Sequence, residues 1–521
     1  MMRLLIFFSF IGFTSLSQNV STEWSALERS SGSVLKVIPK DSNTFYTLRW
    51  SGGNALGNYK FTLHDFLEQV SEKRIKPITG QGIGTFETAF HANNMLFSFI
   101  SDKTGPNSEL YVQPYHEEMG ESGSPELIAS YANPKIGAKS NFLIQQSLNR
   151  KYFGIMWEIP GKRKESDVYG YKIIDYYLQT VSQGEYVMPF DGNMSTINEF
   201  HLTNDGEFFI SLTEHHKPND RLFTRDYRNF KAIHLYKIKN DSLREYTLEI
   251  DDYTIDDMRF NSNNANIVTL TGVFGRGLNQ GIQGVFQLKI DTQKDSILSK
   301  GFTAFDENLS LERFDNDVVL NNFSNRNNLN NNNNYTYDYR MRDLFLQEDG
   351  TLVGSVEQYY IYRRVNYDNR TGLSSTVYYY YYDDIIAFKI GLNGKFDWQK
   401  RIEKSQVSIN DNGPYSSYAS YCDGKKLCFL FNDNIRNYAE DGLFNKEGER
   451  VYALNLSVRR NVAATSEIDI QNGNVLRKTL FTRKDIKSLI VPKMFELDQK
   501  NKLLFLYAVN GFNERFGIIK Y

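Results

Sequence analysis

Residues 200–212 read FHLTNDGEFFISL: an apolar run enters the polar tetrad Asn204-Asp205-Gly206-Glu207, and a second apolar run leaves it. Asn, Asp and Gly tolerate the positive φ that tight hairpins need, so the stretch predicts a β-hairpin. It has relatives along the whole chain. VIPKDSNTFYTL (37–48), AFHANNMLFSFI (89–100), LIQQSLNRKYFGIM (143–156) and RFNSNNANIVTL (259–270) share its plan. So do LFLQEDGTLVGSV (344–356), SYCDGKKLCFLF (420–431) and FELDQKNKLLFLY (495–507).

A second motif follows the hairpins: a strand ending in Lys-Ile or similar, a short turn, then a more polar strand. AIHLYKIKNDSLREYTLEI (232–250), GVFQLKIDTQKDSILSKGF (284–302) and IIAFKIGLNGKFDWQKRI (385–402) carry it; VYGYKII (168–174) and, more loosely, VYALNLSV (451–458) follow suit. Four antiparallel strands per unit, with polarity rising outward, predict an all-β fold: a single β-propeller of four-stranded blades, eight favoured and seven the alternative. The last unit holds only three strands. TEWSALERS (22–30) resembles the outer strand FDWQKRIEKS (396–405), so residues 22–30 are expected to close the ring, removing exposed sheet edges. One domain then spans 18–521 of the 521 residues.

Composition agrees. Apolar residues make up 40% and aromatics 14%, with 34 Tyr and 37 Phe, which suits half-buried pleated surfaces. The net charge of −2 and the absence of a long basic block argue against nucleic acid as a partner. Arg3, the apolar run 4–13, and Ser15 and Ser17 form a signal peptide over 1–17, cut before Gln18. No later run is apolar and long enough to span a membrane. Export makes Cys422 and Cys428 a disulfide candidate: a hairpin loop at Gly424–Lys426 would set them directly opposite each other.

Propeller geometry sends turns one-to-two and three-to-four to one face, and the remaining connections to the other. The long segments all belong to the second group. The Asn-rich inter-blade loop 305–339 has little to bury. Residues 357–384, EQYYIYRRVNYDNRTGLSSTVYYYYYDD, read as a hairpin projecting beyond its blade. Its outgoing arm carries Tyr359, Tyr360, Tyr362, Arg363, Arg364 and Tyr367; Arg370 sits at the turn; Tyr378, Tyr380 and Tyr382 lie on the return arm. Tyr and Arg make binding hot spots, so these ten residues are the candidate binding surface, with an amphipathic ribbon packed on its own propeller as the even alternative.

Signals for chemistry are weak. His201, His215, His216 and His234 fall in one unit beside Glu214, a candidate metal or base cluster whose commoner explanation is structural. Nucleophile elbows, phosphate loops and His-Glu-x-x-His are absent. No cofactor is expected; Asp/Asn loops such as FDGN (190–193) could take calcium weakly. Asp383 and Asp384 keep a glycosidase in view without singling out a pair.

In texture — a short leader ending near SLSQ, then Asn-, Lys- and Tyr-rich blades — the chain resembles exported β-propeller proteins of Bacteroidota. The resemblance implies a periplasmic protein, soluble or peripheral to the outer membrane, with the cell exterior as the alternative. It implies a non-enzymatic interaction subunit whose partner is a protein, such as an outer-membrane β-barrel secretion complex; the plug-like subunit of the type 9 translocon is one such role. A glycan-binding or glycan-cleaving propeller using the same loop face is the alternative.

Overall fold

The computed structural model describes residues 22–52, 57–80, 82–132, 142–159, 166–191, 195–216, 230–239, 242–250, 253–275, 282–306, 309, 336–367, 370, 373–446 and 451–521. The segment expected to be a signal peptide (1–17), the FDGN loop from Gly192 onward and most of the Asn-rich loop lie outside them. Among the described residues the chain folds into eight antiparallel sheets of four to six strands, plus a small two-stranded one. Each sheet is assembled from consecutive strands in sequence order, with one exception at the chain ends. The fourth sheet is typical: Ser195–Leu202, Phe208–His215, Phe230–Lys239 and Ser242–Glu249. Its burial pattern explains the strand order. The second and third strands are nearly all buried, whereas the fourth is mostly exposed until Tyr246.

A sheet that is apolar on both sides must be covered on both sides. Here each covers its neighbour. Ile38, Tyr46 and Phe61 of the first sheet pack with Ala89, Leu96 and Tyr115 of the second. Equivalent clusters join each later pair: Phe97 with Phe153, Tyr171 with Phe208, Leu235 with Phe260, Val285 with Met341, Ile385 with Phe429, and Leu430 with Leu504. The series returns to its start, because Leu503, Phe505 and Phe516 of the last sheet pack with Val34, Val37 and Phe45 of the first. This is a β-propeller. Each fully buried aromatic in these clusters contributes on the order of 1.5–3 kcal/mol.

Both chain ends meet in one sheet. Thr22–Trp24 pairs antiparallel with Gly517–Ile519, and Glu28–Arg29 pairs with Asn513–Glu514. Between the two short strands Ser25 spans the gap: its N–H donates to the Phe516 carbonyl at 2.8 Å, and its Oγ accepts from the Phe516 N–H at 3.0 Å. Trp24 reaches into the clusters of the last two sheets.

The stretch at 200–212 forms the inner hairpin of the fourth sheet, with Leu202 opposite Phe208 and Gly206 at φ +73°. Its turn is also a tie. Asn204 Oδ1 accepts from the Asn149 N–H at 2.8 Å, and Asn204 Nδ2 donates to Asn264 Oδ1 at 3.0 Å. Asn264 in turn donates to Glu348 at 3.2 Å, so four successive inner turns are laced together by short polar side chains.

The seventh sheet corrects one expectation. Its third strand is Asn461–Asp469, not VYALNLSV, which runs as irregular chain. Backbone and Asn bonds hold that segment down: Leu454 N–H to the Ser405 carbonyl, and Asn434 Nδ2 to the Ala453 carbonyl, both at 2.8 Å. The apolar alternation was real, but it served a loop fixed to the surface rather than a ladder. Among the described residues no helix is long and apolar enough to cross a membrane.

Candidate functional site

The sixth sheet carries the longest strands described, Leu352–Tyr367 and Ser374–Ile390, of 16 and 17 residues. Tyr, Val and Ile favour extended backbone, and the ladder stays in register from Tyr359 opposite Tyr382 out to Tyr367 opposite Ser374. The pair therefore continues past its blade as a ribbon. Val407–Ile409 adds a third strand beside Tyr379–Tyr381, which stiffens the lower part.

Alternation divides nine of the ten predicted residues between two faces, Arg370 lying at the turn. Tyr359, Arg363, Tyr367, Tyr378, Tyr380 and Tyr382 share one face; Tyr360, Tyr362 and Arg364 share the other. Height divides them again. At the foot, Tyr359, Tyr360 and Tyr382 are buried in cross-strand pairs: Tyr359 tilted against Tyr382 at 4.9 Å and Tyr360 stacked on Tyr381 at 4.3 Å between ring centroids. Farther out, Tyr362 and Tyr380 are half-buried, and Arg363, Arg364 and Arg370 are exposed. Tyr367 is 66% exposed and Val365 55%. Foot tyrosines are thus packing residues, and the most exposed side chains lie farther out.

Beneath the ribbon lies a polar network that the sequence did not reveal. Glu357 and Lys404 are both fully buried and ion-paired at 3.0 Å. Lys404 Nζ also donates to the Tyr382 carbonyl at 2.7 Å and to Gln406 Oε1 at 3.2 Å; Glu357 Oε2 accepts from Ser417 Oγ at 2.6 Å. Tyr382 is clamped from outside as well. Its hydroxyl donates to the Asn412 carbonyl at 2.9 Å and accepts from Lys493 Nζ at 2.6 Å. Gly413, at φ +56°, lets that loop close over the ring: a Cβ there would sit 2.7 Å from Tyr382 Cε2.

Three cations crowd the same place. Arg340 lies 3.7 Å from the Tyr359 ring centroid, Lys493 lies 4.1 Å from that of Tyr382, and Arg342 lies 5.7 Å from that of Tyr418. Burial lowers the Lys493 ammonium to about 8; Glu357 opposes the shift, and Arg342 and Arg340 add to it. The sequence did hold one clue. Arg340 and Arg342 flank buried Met341 in the inner strand Thr336–Leu346, where charge is unexpected. Lys493 sits in a short 3-10 turn with no such mark.

The acidic residues nearby are occupied. Asp384 is bonded to Arg401 Nε at 2.5 Å and to the Lys404 N–H at 2.7 Å. Burial pushes Asp383 up to about 7 against the pull of Lys404. A cleft of about 700 Å³ elsewhere is lined by Asp306, Asp397 and Trp398, but Asp397 is ion-paired to Lys389 at 3.3 Å.

His201, His215 and His234 are each bonded or packed within the fold. His201 is buried, bonded to Ser262 Oγ at 2.8 Å, and burial lowers it to about 4. His234 is held between Glu245 at 2.5 Å and Glu214 at 3.0 Å. His215 leans on Phe230. Among the described residues no group of three or more His, Cys, Asp or Glu is placed to hold a metal ion.

The disulfide expectation is corrected. Cys422 lies opposite Leu427, and Tyr421 lies opposite Cys428, so the two cysteines are one register step apart. A one-residue step flips the side chain to the other face. Cys422 faces the sixth sheet, where Gln347 Nε2 donates to its sulfur at 3.6 Å, and Cys428 is buried against the eighth. Both are free thiols, and burial pushes that of Cys428 up to about 12.

No family model and no curated protein matches the chain. Solved structures overlap it distantly. The WD40 domain of SCAP from fission yeast is 11% identical, covering 96% of this chain and 94% of that one, at a TM-score of 0.39. The polysaccharide lyase Uly1 is 9% identical, covering 96% and 99%, at 0.34. Prolyl oligopeptidase B from Galerina marginata is 10% identical at 0.36; there the chain covers 94% of itself and 55% of the other.

Proposed function

We propose that the chain is an exported, non-enzymatic interaction subunit that docks a protein partner through its loop-bearing face, the partner being an outer-membrane β-barrel complex met from the periplasm. One observation carries this reading: a rigidly founded ribbon ends in exposed aromatic, aliphatic and basic side chains, with Val365 at 55% and Tyr367 at 66% exposure. Tyr, Arg and aliphatic anchors around a stiff element are what a protein interface uses, because little entropy is lost on ordering them.

The glycan reading draws on the same tyrosines and on the cleft beside Trp398. Hydrolysis needs two free carboxylates facing one substrate. The acids beside the ribbon are instead bonded to Arg401 and to backbone N–H groups, and Asp397 is tied to Lys389.

Affinity purification of the tagged chain from its native cells, with mass spectrometry, tests the proposal. Co-purification of an outer-membrane β-barrel that is lost when 362–378 is replaced by a short turn supports it. Equal recovery by the shortened chain, or glycan cleavage by the purified protein, would end it.

A further inference from the structure

The outer ribbon and the cations at its foot belong to one continuous surface. Tyr359, Tyr382 and Tyr380 share a face with Tyr378, Arg363 and Tyr367, and Arg340 and Lys493 lie against the two lowest rings of that same face. Following the face inward from the tip leads from exposed Tyr and Arg to a half-buried cationic end.

The carboxylates around that end are mostly engaged elsewhere. Glu357 is matched by Lys404, and Glu199 by Arg259. Asp257 accepts the Met258 and Met341 N–H groups at 2.9 and 3.1 Å, and Asp343 accepts Ser420 Oγ at 2.5 Å. Asp411 accepts the Gly413 N–H at 2.9 Å. Burial pushes Asp257 and Asp343 toward their neutral forms. Among the described residues Arg340 and Lys493 have no carboxylate within ion-pair distance, and Arg342 reaches Glu357 only at 3.9 Å. Cations that rest on aromatic rings without a directly bonded carboxylate form an anion site, since a carboxylate there gains charge-assisted bonds at little cost in reorganisation.

Resting on the interaction reading above, we infer that this face binds an acidic polypeptide segment, one carboxylate entering between Arg340, Arg342 and Lys493 while Arg363, Tyr378 and Tyr367 hold the residues that follow. A polypeptide fits better than a polyanionic glycan because Val365 stands between the arginine and the outer tyrosine, an aliphatic contact that peptide side chains can cover. Arg364 lies on the opposite face and is a built-in control.

Fluorescein-labelled poly-L-glutamate, read by anisotropy on the full mature chain, tests this. The wild type should bind it with strong salt dependence. Arg363→Gln and Lys493→Gln should each weaken binding by about tenfold, as loss of a close charge pair does, while Arg364→Gln changes it by less than about twofold. Arg363 is exposed, so its variant remains informative even where Lys493→Gln unfolds. Absence of binding, or binding indifferent to Arg363→Gln, overturns the inference; if the shortened ribbon still abolishes partner capture, the interaction reading survives that loss. Tighter binding of polygalacturonate than of poly-L-glutamate overturns both.

Discussion

Tyr359 and Tyr367 stand on the same strand and the same face of the ribbon, yet one is 2% exposed and the other 66%. The foot and the tip use one vocabulary, Tyr with Arg or Lys, for opposite ends. At the foot a ring is a wall: Tyr359 packs on Tyr382 and carries Arg340, all above the buried Glu357–Lys404 pair. Toward the tip Tyr367 stands exposed. What separates structure from surface here is the neighbouring chain: the strand Val407–Ile409 and the loop around Gly413 cover the lower part and stop short of the upper.

The largest effect should come from cutting the foot's charge pair. Lys404→Met removes the close ion-pair partner of the buried Glu357, and is expected to cost about 3–5 kcal/mol in chemical denaturation. A loss below about 1 kcal/mol would mean the foot is not the foundation described. Next comes the direct comparison. Tyr359→Ala should destabilise by about 3 kcal/mol, in the range of large aromatic truncations in a core. Tyr367→Ala should stay within about 0.5 kcal/mol of wild type, as surface changes do, while weakening partner capture. Equal melting temperatures for the two variants would erase the distinction between foot and tip.

Acid should separate ribbon from scaffold. His201 titrates near 4 in the fold against 6.5 when free, so the unfolded chain takes up the proton first. The stability of the neutral ring is therefore full above pH 6.5 and falls as pH drops toward 4, by up to about 1.4 kcal/mol per pH unit. Asp383 behaves oppositely: its carboxyl is pushed from 3.8 up to about 7, so its cost appears as pH rises and falling pH relieves it. Between pH 6.5 and 4.5 the two contributions therefore oppose each other, and His201→Asn, which removes only the first, should make stability in melting curves rise relative to wild type as pH falls. An unchanged slope would place the acid sensitivity elsewhere. The smallest expected effect is that of Arg364→Ala, on the far face: within about 0.5 kcal/mol in stability and no change in poly-L-glutamate binding.

Much of this was legible in the residues. The turn chemistry of Asn204-Asp205-Gly206 and its relatives, together with the rising polarity of outer strands, is local, and it identified the propeller. The likeness of TEWSALERS to an outer strand led to the pairing of Thr22–Trp24 with Gly517–Ile519. What stayed hidden depends on register and on distant neighbours. Placing the hairpin turn one residue off set Cys422 against Cys428, when the ladder pairs Cys422 with Leu427. VYALNLSV alternates like a strand yet has no ladder to join. The cation cluster joins Arg340 and Arg342 to Lys493, far away in sequence and carried by another sheet, so no spacing could announce it. The tyrosine repeat marked the ribbon but not which of its tyrosines are buried, because that depends on the loop from Asn410 to Ser417 folding back over Tyr382.

The most direct test of the account is photo-crosslinking in the native cells from a benzophenone amino acid placed at 367, with one at 70 as control. Val70 is also exposed, at 56%, but lies on the outer strand of the first sheet. The account predicts an adduct with an outer-membrane β-barrel from position 367 and none from position 70. No adduct from 367, or the same adduct from both, would contradict it.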